Sequence, residues 1–267
     1  MIERKYKLKR TKIVATIGPT SLSKKKIRKM ILAGLNVCRI NFSHCNHQDA
    51  ANIISIVSEL NTELNTHVAV LGDLQGPKLR IGQVSQHNLL EKNQPITVQY
   101  GNGVSDKNTI FINYKSIADD VCVGEKILLD DGKILLRVQS IKEHKISCVV
   151  VQGGVISPNK GFNLPNTKIS LPTMTEKDHI DLLFCIKNDI EWIALSFVRT
   201  GDDITNLKKI INEHNGRSKV IAKIEKPEAI KNLKSIISNS DALMVARGDL
   251  GVEVPTQKVP VLQKRIV

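Results

Sequence analysis

Aromatic residues make up only 3% of the 267-residue sequence, with a single tryptophan. Base-stacking platforms are therefore scarce, and neither a helix-turn-helix nor an RRM signature is present. This argues against a nucleic-acid partner even though the formal net charge is +13 and lysine and arginine can neutralise phosphates. A lysine-rich solvated surface, steering of small anionic substrates, or an acidic region elsewhere in the protein accounts for the same excess. The five cysteines, Cys38, Cys45, Cys122, Cys148 and Cys185, include no CxxC pair, so neither a zinc site nor a disulfide framework is expected, and a reducing cytoplasm fits. No uncharged apolar stretch approaches the roughly 20 residues of a membrane span. The basic opening MIERKYKLKR leads into no apolar h-region, so a soluble, unexported protein with no membrane partner is expected. Walker A and GxGxxG motifs are both missing, so any nucleotide binding does not use a P-loop.

What is present is ordinary globular composition, 41% hydrophobic and 24% charged, arranged in a βα rhythm that is interrupted once. Residues 12–18, 37–42 and 68–73 read as strands, separated by helices at 21–33 and 48–64. Ser21 or Ser23 is the candidate N-cap and Gly34 the C′ residue of the first helix. From about 75 to 171 short alternating runs take over, with no convincing amphipathic helix. The clearest is 126–138, KILLDDGKILLRV, a hairpin around Asp-Asp-Gly. The βα rhythm then resumes, with helices at 176–187, 202–214 and 227–237 and strands at 192–197, 220–225 and 242–246. The division is 1–74, an inserted all-β domain 75–171, and 172–267. Six parallel strands fit an open α/β sheet or an incomplete (β/α)8 TIM barrel. Polar candidates at the carboxyl ends of four strands favour the barrel, because barrel active sites are built there.

Arg39, Asn41 and Ser43 stand at i, i+2 and i+4, so an extended chain points all three to one face. An arginine fork suits phosphate, and the Asn and Ser oxygens suit a small cation. A salt bridge plus a polar loop fits the same residues at least as well. His44 reads as solvated before it reads as a nucleotide contact. Asp73 closes the third strand as a cation ligand or an ordinary turn aspartate. Lys78 and Arg80 beyond it are phosphate contacts or a basic edge. Lys223 and Glu225 share a face at the end of an apolar strand, where unpaired charge is costly. They form a structural ion pair, or the reactive cation and metal-binding carboxylate that phosphoryl transfer needs. Gly248 permits close backbone approach and Asp249 offers a second carboxylate for Mg²⁺, or the two form an ordinary Gly-Asp turn. Glu253 reads as solvated or structural. Lys160 reads first as an exposed lysine of an insert loop, and reaches nucleotide phosphates only if the insert folds over the site.

Taken together, KIVATIGPTS, GLNVCRINFSH, GDLQGPKLRIG, LDDGKILLRV, NKGFNLPN, LSFVR, AKIEKPEAI and MVARGDLGVE resemble the pyruvate kinase family, in that family's order and over nearly the whole chain. The resemblance implies a (β/α)8 barrel with a β-barrel lid inserted after the third strand, a further carboxyl-terminal domain and a homotetramer. It also implies transfer of phosphate from phosphoenolpyruvate to ADP, giving pyruvate and ATP. Arg39, Lys223, Gly248 and Asp249 then meet phosphoenolpyruvate, with Lys223 stabilising the phosphoryl in flight. Glu225 and Asp249 hold Mg²⁺ or Mn²⁺, and Asn41, Phe42, Ser43, His44, Arg80 and Lys160 meet nucleotide. Asp131 corresponds to a lid residue that closes on the barrel. Asn41, Ser43, Asp73 and Leu74 correspond to the monovalent-cation ligands. Lys78, in company with Leu74 and Gln75, matches family members that need no K⁺. The last residues fall in the helix after the sixth strand, so two barrel strands and a substrate-contacting threonine are expected to be missing and this chain to be inactive by itself. Two other readings stand beside this one, a different barrel enzyme acting on phosphoenolpyruvate or pyruvate and a non-catalytic remnant.

Overall fold

The computed structural model of the chain describes residues 10–86 and 88–267; the basic segment 1–9 lies outside the described residues. Its main sheet has six parallel strands, Val14–Thr16, Val37–Asn41, Ala69–Asp73, Trp192–Leu195, Lys219–Ile224 and Ala242–Val245. They lie side by side in chain order. Every crossover therefore steps to the same side, as in a barrel, whereas a doubly wound sheet reverses direction at a switch point. The structure thus decides between the two architectures that the rhythm left open: an incomplete TIM barrel. The first and sixth strands form its edges. The sheet side chains Ile193, Leu195, Ala222 and Ile224 pack with helix residues such as Ile27, Ile53, Leu60, Leu182 and Ile204 in one cluster. Full burial of each aliphatic side chain contributes about 1.5–3 kcal/mol relative to exposure.

Local chemistry sets the helix ends. Asn46 caps His47–Leu64 by accepting from the Asp49 N–H at 2.8 Å. Thr175 and Asp178 form a reciprocal capping box on Glu176–Lys187. The first helix begins at Lys24, later than expected, because Ser21 folds back onto Gly18. Gly34 follows it with φ 107°, as its C′ position requires. The helix expected at 227–237 is broken into Pro227–Lys231 and Leu233–Asn239. At the break Asn232 turns its amide onto the Arg199 carbonyl. Two pieces were not anticipated, the short helix Arg247–Glu253 after the sixth strand and Ile117–Asp120 within the insert. Among the described residues no helix is long and apolar enough to cross a membrane.

Residues from Leu79 to Leu164 hold a separate apolar cluster. Its sheet runs in the order Phe162–Asn163, Lys126–Leu129, Ile134–Lys142, Lys145–Gln152, Pro95–Tyr100, Thr109–Ile112. Arg80 bridges Gly161 at one edge and Ile81 bridges Ile112 at the other, so this segment closes the sheet into a barrel. The expected hairpin pairs Leu129 with Ile134, and its turn takes left-handed backbone at Asp130, Asp131 and Gly132. Both connections to the main sheet are pinned. The Gly76 N–H donates to buried Asp178 at 3.0 Å, and Arg199 donates to the Ile169 carbonyl at 2.7 Å. Gly76 has φ 69°, and a Cβ there would lie 2.7 Å from the Phe197 ring, so only glycine fits this exit.

Candidate active site

The carboxyl ends of the second, third and fifth strands bring four charged side chains together, and the fourth adds Ser196. Lys223 Nζ lies 3.1 Å from Asp73 Oδ1 and 3.1 Å from Glu225 Oε1, and 2.7 Å from Ser196 Oγ. Arg39 grips the other Asp73 oxygen through Nη2 at 2.5 Å and Nε at 2.6 Å, while its Nη1 donates to Thr16 Oγ1 at 2.6 Å. Asp73 and Glu225 are each 1% exposed. Burial lowers the pKa of Lys223, but the charges of Glu225 and Asp73 outweigh it and hold the group above its ordinary value as an ammonium. Burial raises Glu225 above the usual carboxylate range; Lys223 opposes this and Asp249 adds to it.

The Arg39 and Lys223 ion pairs that the sequence left as alternatives are therefore present, and they assemble the cluster. Of the five guanidinium N–H donors, Nε, one on Nη2 and one on Nη1 are engaged, which leaves one on each Nη for an incoming anion. The three ammonium N–H groups of Lys223 all have partners. Both Glu225 oxygens are used once, Oε2 by the Phe197 N–H at 2.7 Å. That N–H is aimed by left-handed backbone at Phe197, φ 55°, a strained conformation of the kind found at functional sites.

Several expected residues stand differently. The second strand ends at Asn41, so Ser43 lies in a turn and does not extend the face of Arg39 and Asn41; its N–H donates to Asn41 Oδ1 at 3.1 Å. Phe42 is 1% exposed, with its ring edge-on to His47 and Phe184. Only its backbone remains for a nucleotide, and its carbonyl already accepts from Lys177. The Leu74 carbonyl accepts from Ser196 Oγ at 2.6 Å. Lys78 pairs with Asp249 at 3.8 Å, not with Asp73, whose cations are Arg39 and Lys223. Gly248 is exposed and a Cβ there would meet nothing within 4 Å. Arg80 and Lys160 are adjacent on the insert, bound to the Asn159 carbonyl and to Asp130. Glu253 is buried against Lys226 and is not solvated.

Asp249 is half-exposed beside Glu225, and each Glu225 oxygen keeps a second lone pair. Two carboxylates with free lone pairs fit a hard divalent cation completed by water and substrate oxygens. Among the described residues no group of three or more His, Cys, Asp or Glu is gathered for a metal. A groove of about 400 Å³ beside Arg39 is lined by Thr16, Pro19, Asn41, His44 and Cys45. Between insert and barrel, Lys78, Asp131, Asn163, Phe197, Lys226 and Asp249 line a cleft whose innermost space is about 40 Å³, room for a few waters.

Sequence reasoning missed Ser196, Phe197 and Lys226. Ser196 carried the signal that identified Asp73, a polar residue directly after an apolar strand. Nothing local marks the backbone N–H of Phe197.

The family model described as "Pyruvate kinase, barrel domain" matches residues 8–267. Pyruvate kinase 2 of Synechocystis sp. is 42% identical over 264 residues, covering 97% of this chain and 45% of the relative. Pyruvate kinase of Corynebacterium glutamicum is 43% identical over 262 residues, 97% of this chain and 55% of the relative. That of Thermococcus litoralis is 39% identical over 259 residues, 97% and 54%. The chain thus spans about half the length of the curated relatives it matches. With a family-model match over residues 8–267 and relatives about 40% identical along 97% of its length, the chain belongs to the pyruvate kinase family.

Proposed function

We propose that this chain carries the phosphoryl-transfer site of a pyruvate kinase, which takes phosphate from phosphoenolpyruvate to ADP. The observation that supports this most is the Lys223 ammonium, buried between two carboxylates and a hydroxyl, beside an arginine with two free N–H donors. Arg39 orients the phosphate through those donors. Lys223 gives up a present partner to meet the phosphoryl as its charge spreads over three oxygens. The bond from phosphorus to the enol oxygen breaks, a bond to the terminal ADP oxygen forms, and the enolate takes up a proton at carbon to become pyruvate. Glu225 and Asp249 hold Mg²⁺ or Mn²⁺, which when bound neutralises phosphate charge. The Gly248 backbone faces the substrate.

The groove by Asn41, Ser43 and His44 takes the nucleoside part of ADP. Arg80 and Lys160 approach its phosphates when the insert, residues 75–171, closes as a lid with Asp131 toward the barrel, residues 1–74 and 172–267. Asn41, Ser43, Asp73 and Leu74 form the monovalent-cation position, and K⁺ is not required because Lys78 supplies positive charge. The setting is glycolytic and cytoplasmic, with a homotetramer as the assembled form. Pyruvate formation, compared between the 267-residue chain and the same chain extended by the carboxyl-terminal half of a relative, tests the phosphoryl-transfer reading. In the extended protein Lys223→Met should lower kcat by about 10²–10³, as loss of one charge-stabilising donor does, with far less effect on phosphoenolpyruvate affinity. Equal loss in both would move the transition-state role elsewhere.

A further inference from the structure

Lys226 and Glu253 form a second buried ion pair, 2.7 Å long, with side chains 10% and 1% exposed. Neither acts in the chemistry above. Desolvating two charges makes such a pair a poor source of stability, so its value is sought in what it holds. Glu253 Oε1 accepts a further hydrogen bond, from Asn163 Nδ2 at 2.8 Å, while Oε2 is buried without a partner. Asn163 belongs to the insert, on the edge strand where it stands opposite Leu128. Away from the linkers at Gly76 and Ile169, this is the hydrogen bond that joins insert to barrel among the described residues. Glu253 lies one turn beyond Asp249 on helix Arg247–Glu253, and Lys226 directly follows Glu225. One carboxylate therefore connects the insert to both chain segments that carry the proposed metal ligands.

We propose that Glu253 is a positioning residue that fixes the closed insert over the cleft, with Lys226 as its permanent anchor and Asn163 as its releasable partner. This rests on the reading of the insert as a lid. The two bonds differ in the way such a division needs. The Lys226 bond joins two buried charges within the barrel. The Asn163 bond joins a neutral amide to it across the domain boundary, where water takes the place of either partner once the insert opens. Asn163 and Asp131 on the insert face Lys226 and Asp249 on the barrel across one cleft, so swinging the insert away from the barrel requires this bond to break. The edge strand, hydrogen-bonded to the hairpin strand Lys126–Leu129, carries Asn163 and the Asp130–Gly132 turn as one rigid piece.

Nitroxide labels on Cys122, exposed on the insert, and on Lys187→Cys, exposed on the barrel, in a Cys45→Ser background, report the insert position by pulsed dipolar EPR. Asn163→Asp sets a like charge against Glu253 and should lower the closed-to-open ratio by about tenfold or more, the scale of a lost hydrogen bond to a charged group. Asn163→Ala should shift it in the same direction with an unchanged melting temperature of the barrel. A parent protein with both populations that Asn163→Asp and Asn163→Ala leave unmoved overturns the latch alone. One fixed distance in every variant, with or without ADP, removes the lid as well. The phosphoryl-transfer assignment is judged separately, by Lys223→Met.

Discussion

Ser196 Oγ lies 2.7 Å from Lys223 Nζ, nearer to the ammonium than either carboxylate at 3.1 Å. The serine proton goes the other way, to the Leu74 carbonyl at 2.6 Å. One hydroxyl thereby completes the ammonium and ties the ends of the third, fourth and fifth strands together.

Ser196→Ala should therefore cost about 1–3 kcal/mol of stability, because it leaves a buried carbonyl and one ammonium N–H unpaired. Urea unfolding measures it. A loss below about 0.5 kcal/mol, the lower bound for a single hydrogen bond, would mean that water takes over both contacts.

Glu225→Gln and Asp249→Asn should each weaken binding of Mn²⁺, a spectroscopic stand-in for Mg²⁺, since each removes an anionic ligand from a hard-cation site. Titration followed by the EPR signal of free Mn²⁺ reports it without turnover. Unaltered affinity in both variants would move the metal elsewhere.

The extended enzyme should show no activation by K⁺ when a bulky organic cation holds ionic strength. Lys78 pairs with Asp249 at 3.8 Å, and on the proposed reading its fixed charge would take over part of the field that a mobile ion otherwise supplies. Lys78→Glu should create a K⁺ dependence. Activation of the unsubstituted enzyme by about tenfold or more, 1.4 kcal/mol in the barrier, would defeat this.

Alkali should destabilise the chain in a defined window. Burial pushes the thiols of Cys38 and Cys148 up to about 12 from 9.0, and moves Cys185 further in the same direction. The unfolded chain ionises these thiols first, so their contribution is fully present below pH 9 and is lost as pH rises toward 12. Each thiol steepens the fall by about 1.4 kcal/mol per pH unit. Lys223 adds to the loss only above 10.5, where the unfolded chain gives up its proton before the native state does. Urea unfolding from pH 8 to 10.5 should show this slope, and Cys148→Ala should flatten it by one thiol's share.

Much of this was legible in the residues. Helix Glu176–Lys187 and the turn of the hairpin from Lys126 were readable because a capping box and an Asp-Asp-Gly turn are local chemistry, although the second hairpin strand runs on to Lys142 and does not end at 138. Helix 227–237 was misread because its break depends on Asn232 reaching the Arg199 carbonyl, a partner 33 positions away. Ser43 was misplaced because alternation holds only while the chain stays extended, and the strand ends at Asn41.

The sequence by itself determined the βα rhythm and its interruption, and marked Arg39, Asp73, Lys223, Glu225 and Asp249 as polar candidates with structural alternatives beside them, since periodicity and charge at the end of an apolar run are properties of neighbours in the chain. Tertiary structure alone decided that the strands lie in chain order, that Ser196 and the Phe197 N–H complete the cluster, and that Lys226, Glu253 and Asn163 meet. Those contacts join residues 27 to 90 positions apart, and a hydrogen bond that long in sequence exists only once the sheet has set the distance between its ends.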